Sequence, residues 1–170
     1  MLRLRPEVAE DDAFRFDLFC QSRPTALARR GGLRALMRFQ FQAQQLSYRT
    51  RFPDARFDIV ELDRVPIGRI VVDRPGGVLH IVDQALAPPL RNRGLGTTIM
   101  KALMDEAAGN ALPVRLMVAS SNASAIRLYR RLGFVPIRTE PPSVEMEWRA
   151  PAPGSQVPRI ADIFRDQEPA

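Results

Sequence analysis

Pro88-Pro89-Leu90-Arg91-Asn92-Arg93-Gly94-Leu95-Gly96 leads into a segment with Leu95, Ile99, Leu103 and Ala107 at helical spacing, and the fold turns on how this stretch is read. It follows an apolar run from Val78 to Leu86 that reads as a strand. Strand, glycine-containing loop and helix in that order make an anion-binding arrangement. The first N–H groups of a helix have no internal partner, and the helix dipole favours negative charge beside them. Gly94 and Gly96 let a ligand approach the backbone closely. A dinucleotide fingerprint would place a third glycine at position 99, which is Ile, and a Walker-type loop would follow Gly96 with Lys-Ser/Thr, where Thr97-Thr98 stands. Both of those readings fail, and a turn that only packs a helix on a sheet remains the plain alternative.

A second cluster lies downstream. Val114 to Ala119 reads as a buried strand, Ser120-Ser121-Asn122 as a helix start, and Ala125, Ile126, Leu128, Tyr129 and Leu132 as a short helix ended by Gly133. Two consecutive strand–helix units thus present their helix N-termini at one end of a sheet, a cleft suited to an extended ligand with phosphate at one end.

Working outward, Leu2 to Arg5 alternates and stops at Pro6, as an edge strand does. Asp11 or Asp12 opens a helix carrying Phe14, Leu18 and Phe19; Gly31-Gly32 interrupts it, and a second amphipathic helix runs from Leu33 to about Tyr48, closing near Pro53. Phe57 to Leu62 and Ile67 to Val72 read as strands joined through Asp63-Arg64, and Pro75-Gly76-Gly77 turns the chain into the strand before the loop. Short connections make these neighbours antiparallel. Phe134 to Ile137 and Val144 to Trp148 complete the sheet. The expectation is an α/β (α+β) fold with a mixed, mostly antiparallel central sheet of six to seven strands flanked by about four helices, in the order βααββββαβαββ. Residues 1–149 form the domain and 150–170 a Pro-rich tail, in which Ile160, Ile163 and Phe164 could dock as one helical turn.

The chain of 170 residues is 45% hydrophobic and 26% charged, which fits one globular domain. No run approaches the ~18 apolar residues of a membrane span, and Met1 to Pro6 lacks the apolar core of a signal peptide. One cysteine, Cys20, and one histidine, His80, argue against an internal disulfide and against a Cys- or His-rich metal centre. These features lead us to expect a cytoplasmic protein with no metal and no membrane partner. The net charge is +6, and residues 87–138 carry eight basic against two acidic side chains. Such an island attracts phosphorylated partners, but composition alone does not separate nucleic acid from a phosphate-bearing cofactor. No aromatic stacking platform accompanies the basic residues, which disfavours nucleic acid.

The two clusters together resemble the signatures of the GCN5-related N-acetyltransferase (GNAT) superfamily. Arg91-x-x-Gly94-x-Gly96, with Pro88 before it, is similar to that family's pyrophosphate loop, and Asn122-x-x-Ala125-x-x-Leu128-Tyr129-x-x-x-Gly133-Phe134 to its second motif. Asn92 stands where many members have Gly, and Pro89 is an additional proline. The order of elements fits from about Leu2 to Trp148. The resemblance implies a GNAT-like fold and a transferase moving an acyl group, ordinarily from acetyl-CoA as cosubstrate, directly to an amine of a peptide, protein or small molecule. It implies that backbone N–H groups of Arg91, Asn92, Arg93, Gly94, Leu95, Gly96 and Thr97 hold the pyrophosphate. Leu86 would offer its backbone to the pantetheine arm and thioester carbonyl, and Asn122 would bond to that arm or its strand.

By the same resemblance Tyr129 is the general acid, although a tyrosine packing with Ile126 and Leu132 would read alike. For the general base, Asp83 is preferred over His80 and Glu61. His80 and Asp83 lie three apart, so on a regular strand only one of them lines the cleft unless a bulge intervenes. A water chain would serve in place of a dedicated base. The acceptor would meet the two N-terminal helices near Gln44, Gln45, Tyr48 and Arg49, which lack the clustered carboxylates expected for a polycation. Those faces could also form a homodimer contact. A domain that binds acyl-CoA without turnover, as a sensor or scaffold, is the alternative.

Overall fold

The computed structural model describes residues 1–22 and 31–151, without the side chains of residues 31 and 32. Alternation at the N-terminus yields β1 (Leu2–Pro6), paired antiparallel with β2 (Arg56–Leu62). Between them run α1 (Asp12–Gln21) and α2 (Gly31–Arg51). Of the two residues expected to open α1, Asp11 is the one at its N-cap, and it makes no side-chain bond to that helix. Its carboxylate instead accepts the Val8 N–H at 2.8 Å and both terminal nitrogens of Arg5.

From β2 the chain turns through Asp63 and Arg64, both at positive φ, into β3 (Val65–Asp73), and through Gly76 and Gly77 into β4 (Leu79–Leu86). These are the two turns the span offers, so three strands rather than four separate α2 from α3, and the order is βααβββαβαββ. Then follow α3 (Leu95–Gly109), β5 (Val114–Ala119), α4 (Ala123–Arg131), β6 (Val135–Glu140) and β7 (Ser143–Trp148). The seven strands form one sheet in the order β1-β2-β3-β4-β5-β7-β6, antiparallel except between β4 and β5. The expected tail falls almost wholly on residues 152–170, outside the described residues.

Side-chain alternation divides the layers. On one face Ile70, Val72, Leu79 and Ile81 pack with Ile99, Met100 and Leu103 of α3. On the other, Arg69 meets Gln45 of α2, and Phe16, Phe19, Met37 and Phe41 tie α1 to α2. Each buried side chain of this size contributes roughly 1.5–3 kcal/mol, so the first cluster holds α3 against the sheet and the second holds α1 to α2.

The feature that positions the site lies at the centre of the sheet. β4 pairs with β5 only from Leu79 to Ile81, opposite Val114 to Leu116. Beyond that point β4 stays with β3 and β5 stays with β7. The register between β3 and β4 shifts by one residue, because Val71 lies opposite Asp83 whereas Val72 lies opposite Ile81. Val82 is therefore a bulge, which bends its strand and sharpens the local twist. The two parallel strands part there. Gly68 lets β3 follow the bent β4 closely, since a Cβ on it would sit 2.4 Å from the Ala85 carbonyl oxygen. Among the described residues no helix is long and apolar enough to cross a membrane.

Candidate active site

Where β4 and β5 separate, a groove of about 620 Å³ opens between the end of β4 and the N-terminal ends of α3 and α4. Its β4 wall is Gln84, Ala85 and Leu86. Ala87 donates to the Ile67 carbonyl at 2.8 Å, making that pair hydrogen-bonded across β3 and β4. Antiparallel alternation then turns the N–H of Leu86 away from β3, toward the gap β5 has left. The Leu86 carbonyl accepts Arg91 Nε at 2.8 Å, which ties the loop to the strand end.

The loop wall contains Arg91, Asn92, Gly94, Gly96 and Thr97. Gly94 is the N-cap of α3 with φ 80°, and Thr98 N–H to Gly94 O, at 2.9 Å, is the first bond of the helix. The N–H groups of Leu95, Gly96 and Thr97 are left without intrahelical acceptors. Asn92 has φ 61°, a left-handed conformation that Asn adopts at lower cost than other side chains, so it can stand where a glycine is common. Two expected loop residues do not line the groove. Leu95 packs into the core and the Arg93 side chain is exposed, so each reaches a ligand through its backbone.

Asn122 lines the groove and caps α4, its Oδ1 accepting the Ala125 N–H at 3.1 Å. The sequence reading gave Asn122 to the pantetheine arm or its strand; its Oδ1 caps the helix, and its NH2 group takes no part in that cap. Tyr129 lines the same groove, its ring packed on Phe134 at 5.8 Å between centroids. Burial, reinforced by the negative charge of Asp83, pushes its phenol above the ordinary 10. Tyr129 is thus a neutral O–H donor throughout the neutral range.

A second cavity of about 110 Å³ shares Ser22, Gln84 and Ala85 with the groove and lies on the α1–α2 face of the sheet. Gln44, Gln45, Arg15, Arg69 and Asp83 supply its polar wall. Arg69 is 4% exposed and lies 3.6 Å from Asp83. The bulge puts His80 and Asp83 on one face, opposite Asp73 and Val71 respectively, but they do not meet in the site. His80 packs edge-on against Phe52 at 5.2 Å and lines neither cavity. Glu61 is held by Arg3 and Arg5 at 2.6 and 2.7 Å at the β1–β2 edge, also outside both cavities. Arg49 pairs with Glu7, and Tyr48 is half-buried outside the cavity walls.

His80 has a measurable signature of its own. Burial is the main cause holding its imidazole below the ordinary 6.5, against the opposing charges of Asp73 and Glu145. Below pH 6.5 the unfolded chain binds a proton that the folded chain resists, so stability falls as pH falls toward the folded value. Melting temperatures recorded from about pH 6.5 to 5, above the carboxylate range, are expected to decline less steeply for His80→Gln than for the natural chain. Equal slopes would remove His80 as the cause.

Sequence reasoning missed Ser124, Leu128 and Arg131, which line the groove at helical spacing on α4 beside Tyr129. A wheel drawn for that helix would have found them. Gln84 and Ala85 were within reach as neighbours of Leu86. Arg15 and Arg69 carried no local signal, because only the docking of α1 over β3 and β4 brings them together.

Several solved structures share this fold. The PaiA N-acetyltransferase from Thermoplasma acidophilum, in complex with coenzyme A, superposes with a TM-score of 0.68 at 18% identity, covering 88% of this chain and 99% of that one. An acetyltransferase from Thermus thermophilus gives 0.64 at 18% identity over 88% and 97%. The ribosomal-protein-S18-alanine N-acetyltransferase from Escherichia coli gives 0.61 at 16% over 92% and 99%. Residues 26–134, which hold both the α3 loop and the α4 motif, match the acetyltransferase (GNAT) family, and the chain belongs to that family.

Proposed function

We propose that this chain is an N-acetyltransferase that moves the acetyl group of acetyl-CoA directly to a primary amine, without a metal and in the cytoplasm. The observation that carries the reading is the parting of β4 from β5 beside two helix N-termini, which places the Leu86 backbone, the α3 loop and Tyr129 around one groove. The N–H groups of Leu95 to Thr97 suit a pyrophosphate, and Arg91 and Arg131 add positive charge to the same groove. The Leu86 N–H suits the thioester carbonyl. A single donor aimed at a developing oxyanion contributes of order 3–4 kcal/mol.

In the transfer the amine lone pair attacks the thioester carbonyl carbon. As the tetrahedral centre collapses the C–S bond breaks and the departing sulfur takes the Tyr129 phenol proton. The amine must be neutral to attack, and Asp83, on the strand that carries Leu86, is the group to which its proton passes, directly or through water. The second cavity joins the groove at Gln84 and Ala85, which brings an acceptor from the α1–α2 side.

Titration calorimetry with acetyl-CoA, followed by thiol release over a panel of N-terminal peptides, lysine peptides and small amines, tests the reading. Saturable binding with release on one amine class is the expected result. Binding without release would favour a sensor or scaffold, and absence of binding would refute the assignment of the groove.

A further inference from the structure

We infer that α2 carries a self-association surface, along which two copies of this chain pair antiparallel about a two-fold axis at the level of Phe41. The inference does not depend on the transferase reading. A helix that lies on a domain needs one apolar stripe, and α2 has two. The inner stripe is built on Met37 and Phe41, 4% and 2% exposed, which pack with Phe16 and Phe19 of α1. The second is Leu36, Phe39, Ala43 and Leu46, at successive spacings of three, four and three. At 3.6 residues per turn those positions centre on the side of α2 opposite Met37 and Phe41. Leu36 is 48% exposed, Phe39 and Leu46 are each 69% exposed, and Ala43 is exposed between them. Single exposed apolar side chains are ordinary, but a row of them repeated along successive turns marks an interaction face.

The pattern of the stripe identifies its occupant. Alternating steps of three and four form the seam of a two-helix contact, in which side chains of one helix enter gaps on the other. Turned antiparallel about an axis at Phe41, this seam is complementary to itself. Leu36 of one copy meets Leu46 of the other, and Phe39 of one meets Ala43 of the other, so each ring is received by a small side chain. Gln40 and Gln42 flank the seam on opposite sides next to the axis, where the symmetry sets each beside its own copy. A charged side chain there would face its like, whereas an amide both donates and accepts and so pairs with itself.

Charge selects the same face. The chain carries a net +6, so two copies repel on average. Between Arg38 and Arg49, however, α2 has no charged residue. A nucleic acid or a strongly acidic peptide finds no counter-charge on that stretch, while a second copy meets no repulsion. One helix face is smaller than the ~800 Å² per partner of a standard interface, so the dimer exchanges with monomer and its Kd is on the order of micromolar.

Sedimentation equilibrium of the full chain from about 1 to 200 μM, a range that brackets such a Kd, is expected to show the mass rising from one chain to two. Leu46→Glu should weaken association at least about tenfold. Phe39→Ala should weaken it as well, and Phe39→Ala/Ala43→Phe, which exchanges ring and methyl, should return Kd to within about threefold of the natural value. Gln40→Lys sets like charges beside the axis; its dimer should be weaker at low salt and recover toward 1 M salt, where the screening length falls to ~3 Å. All of these side chains are exposed, so thermal melting should find each variant folded. A chain that stays monomeric over the whole range would overturn the inference. So would a dimer indifferent to Leu46→Glu, which would place the interface elsewhere, and so would failure of the exchange to rescue Phe39→Ala.

Discussion

Tyr129→Phe is expected to lower kcat about 10- to 1000-fold while acetyl-CoA affinity stays within about twofold. The substitution keeps the ring, and with it the contact to Phe134 at 5.8 Å, so a purely packing tyrosine would leave turnover unchanged. What it removes is one proton. An alkyl thiolate has a conjugate acid near ~8–9 and a phenol near ~10, so transfer between them is close to balanced and gains from a donor already in place. Burial and the charge of Asp83 raise the phenol further, which keeps it protonated but makes it a slightly weaker acid. The sign of the pH dependence follows. A raised value delays ionisation, so any fall in kcat caused by losing the Tyr129 proton is displaced to higher pH than an ordinary phenol would give, and the Phe variant should lack that fall. Steady-state kinetics and acetyl-CoA calorimetry on the same preparation check both parts. Natural turnover in the variant would remove Tyr129 from the chemistry.

The parts of this site legible in the sequence are those written locally. Arg91 to Thr97 and Asn122 to Phe134 each form one loop or one helix, and each carries its geometry in a few adjacent residues, as Gly94 at positive φ and Asn122 as a side-chain cap show. The strands were visible through alternation and their turns through Asp63-Arg64 and Gly76-Gly77. The bulge at Val82 had no such mark. A period-2 reading of Val78 to Leu86 separates His80 from Asp83, and the structure returns them to one face because β3 holds a register shifted by one residue. His80 nonetheless goes to Phe52, a residue whose approach depends on how α2 ends. Glu61 failed as a candidate base for a related reason. Its pairing partners, Arg3 and Arg5, come from the far end of the chain, and their hydrogen bonds hold its carboxyl below the ordinary range. Arg15 and Arg69 were silent because a guanidinium's role depends on the tertiary neighbours that neutralise it.

Glu7 is the clearest case of such a neighbour, and its loss should cost about 3–5 kcal/mol of stability. Its carboxylate is 5% exposed and receives Arg15 at 2.8 Å, Arg69 at 3.0 Å and the guanidinium of Arg49. Two of those three arginines are themselves buried, at 11% and 4% exposure. Removing one partner from a buried ion pair costs about 3–5 kcal/mol, mostly because the remaining charge is left desolvated and unpaired. Glu7→Ala is therefore expected to lower the unfolding free energy by about that amount, read as a shift of the urea midpoint with an unchanged slope. The origin of the penalty can be separated from its size. If it comes from the orphaned charge on Arg69, then the double variant Glu7→Ala/Arg69→Met should be more stable than Glu7→Ala alone, because Met fills similar space and carries no charge. If the penalty instead comes from lost packing, the second substitution should add to the first.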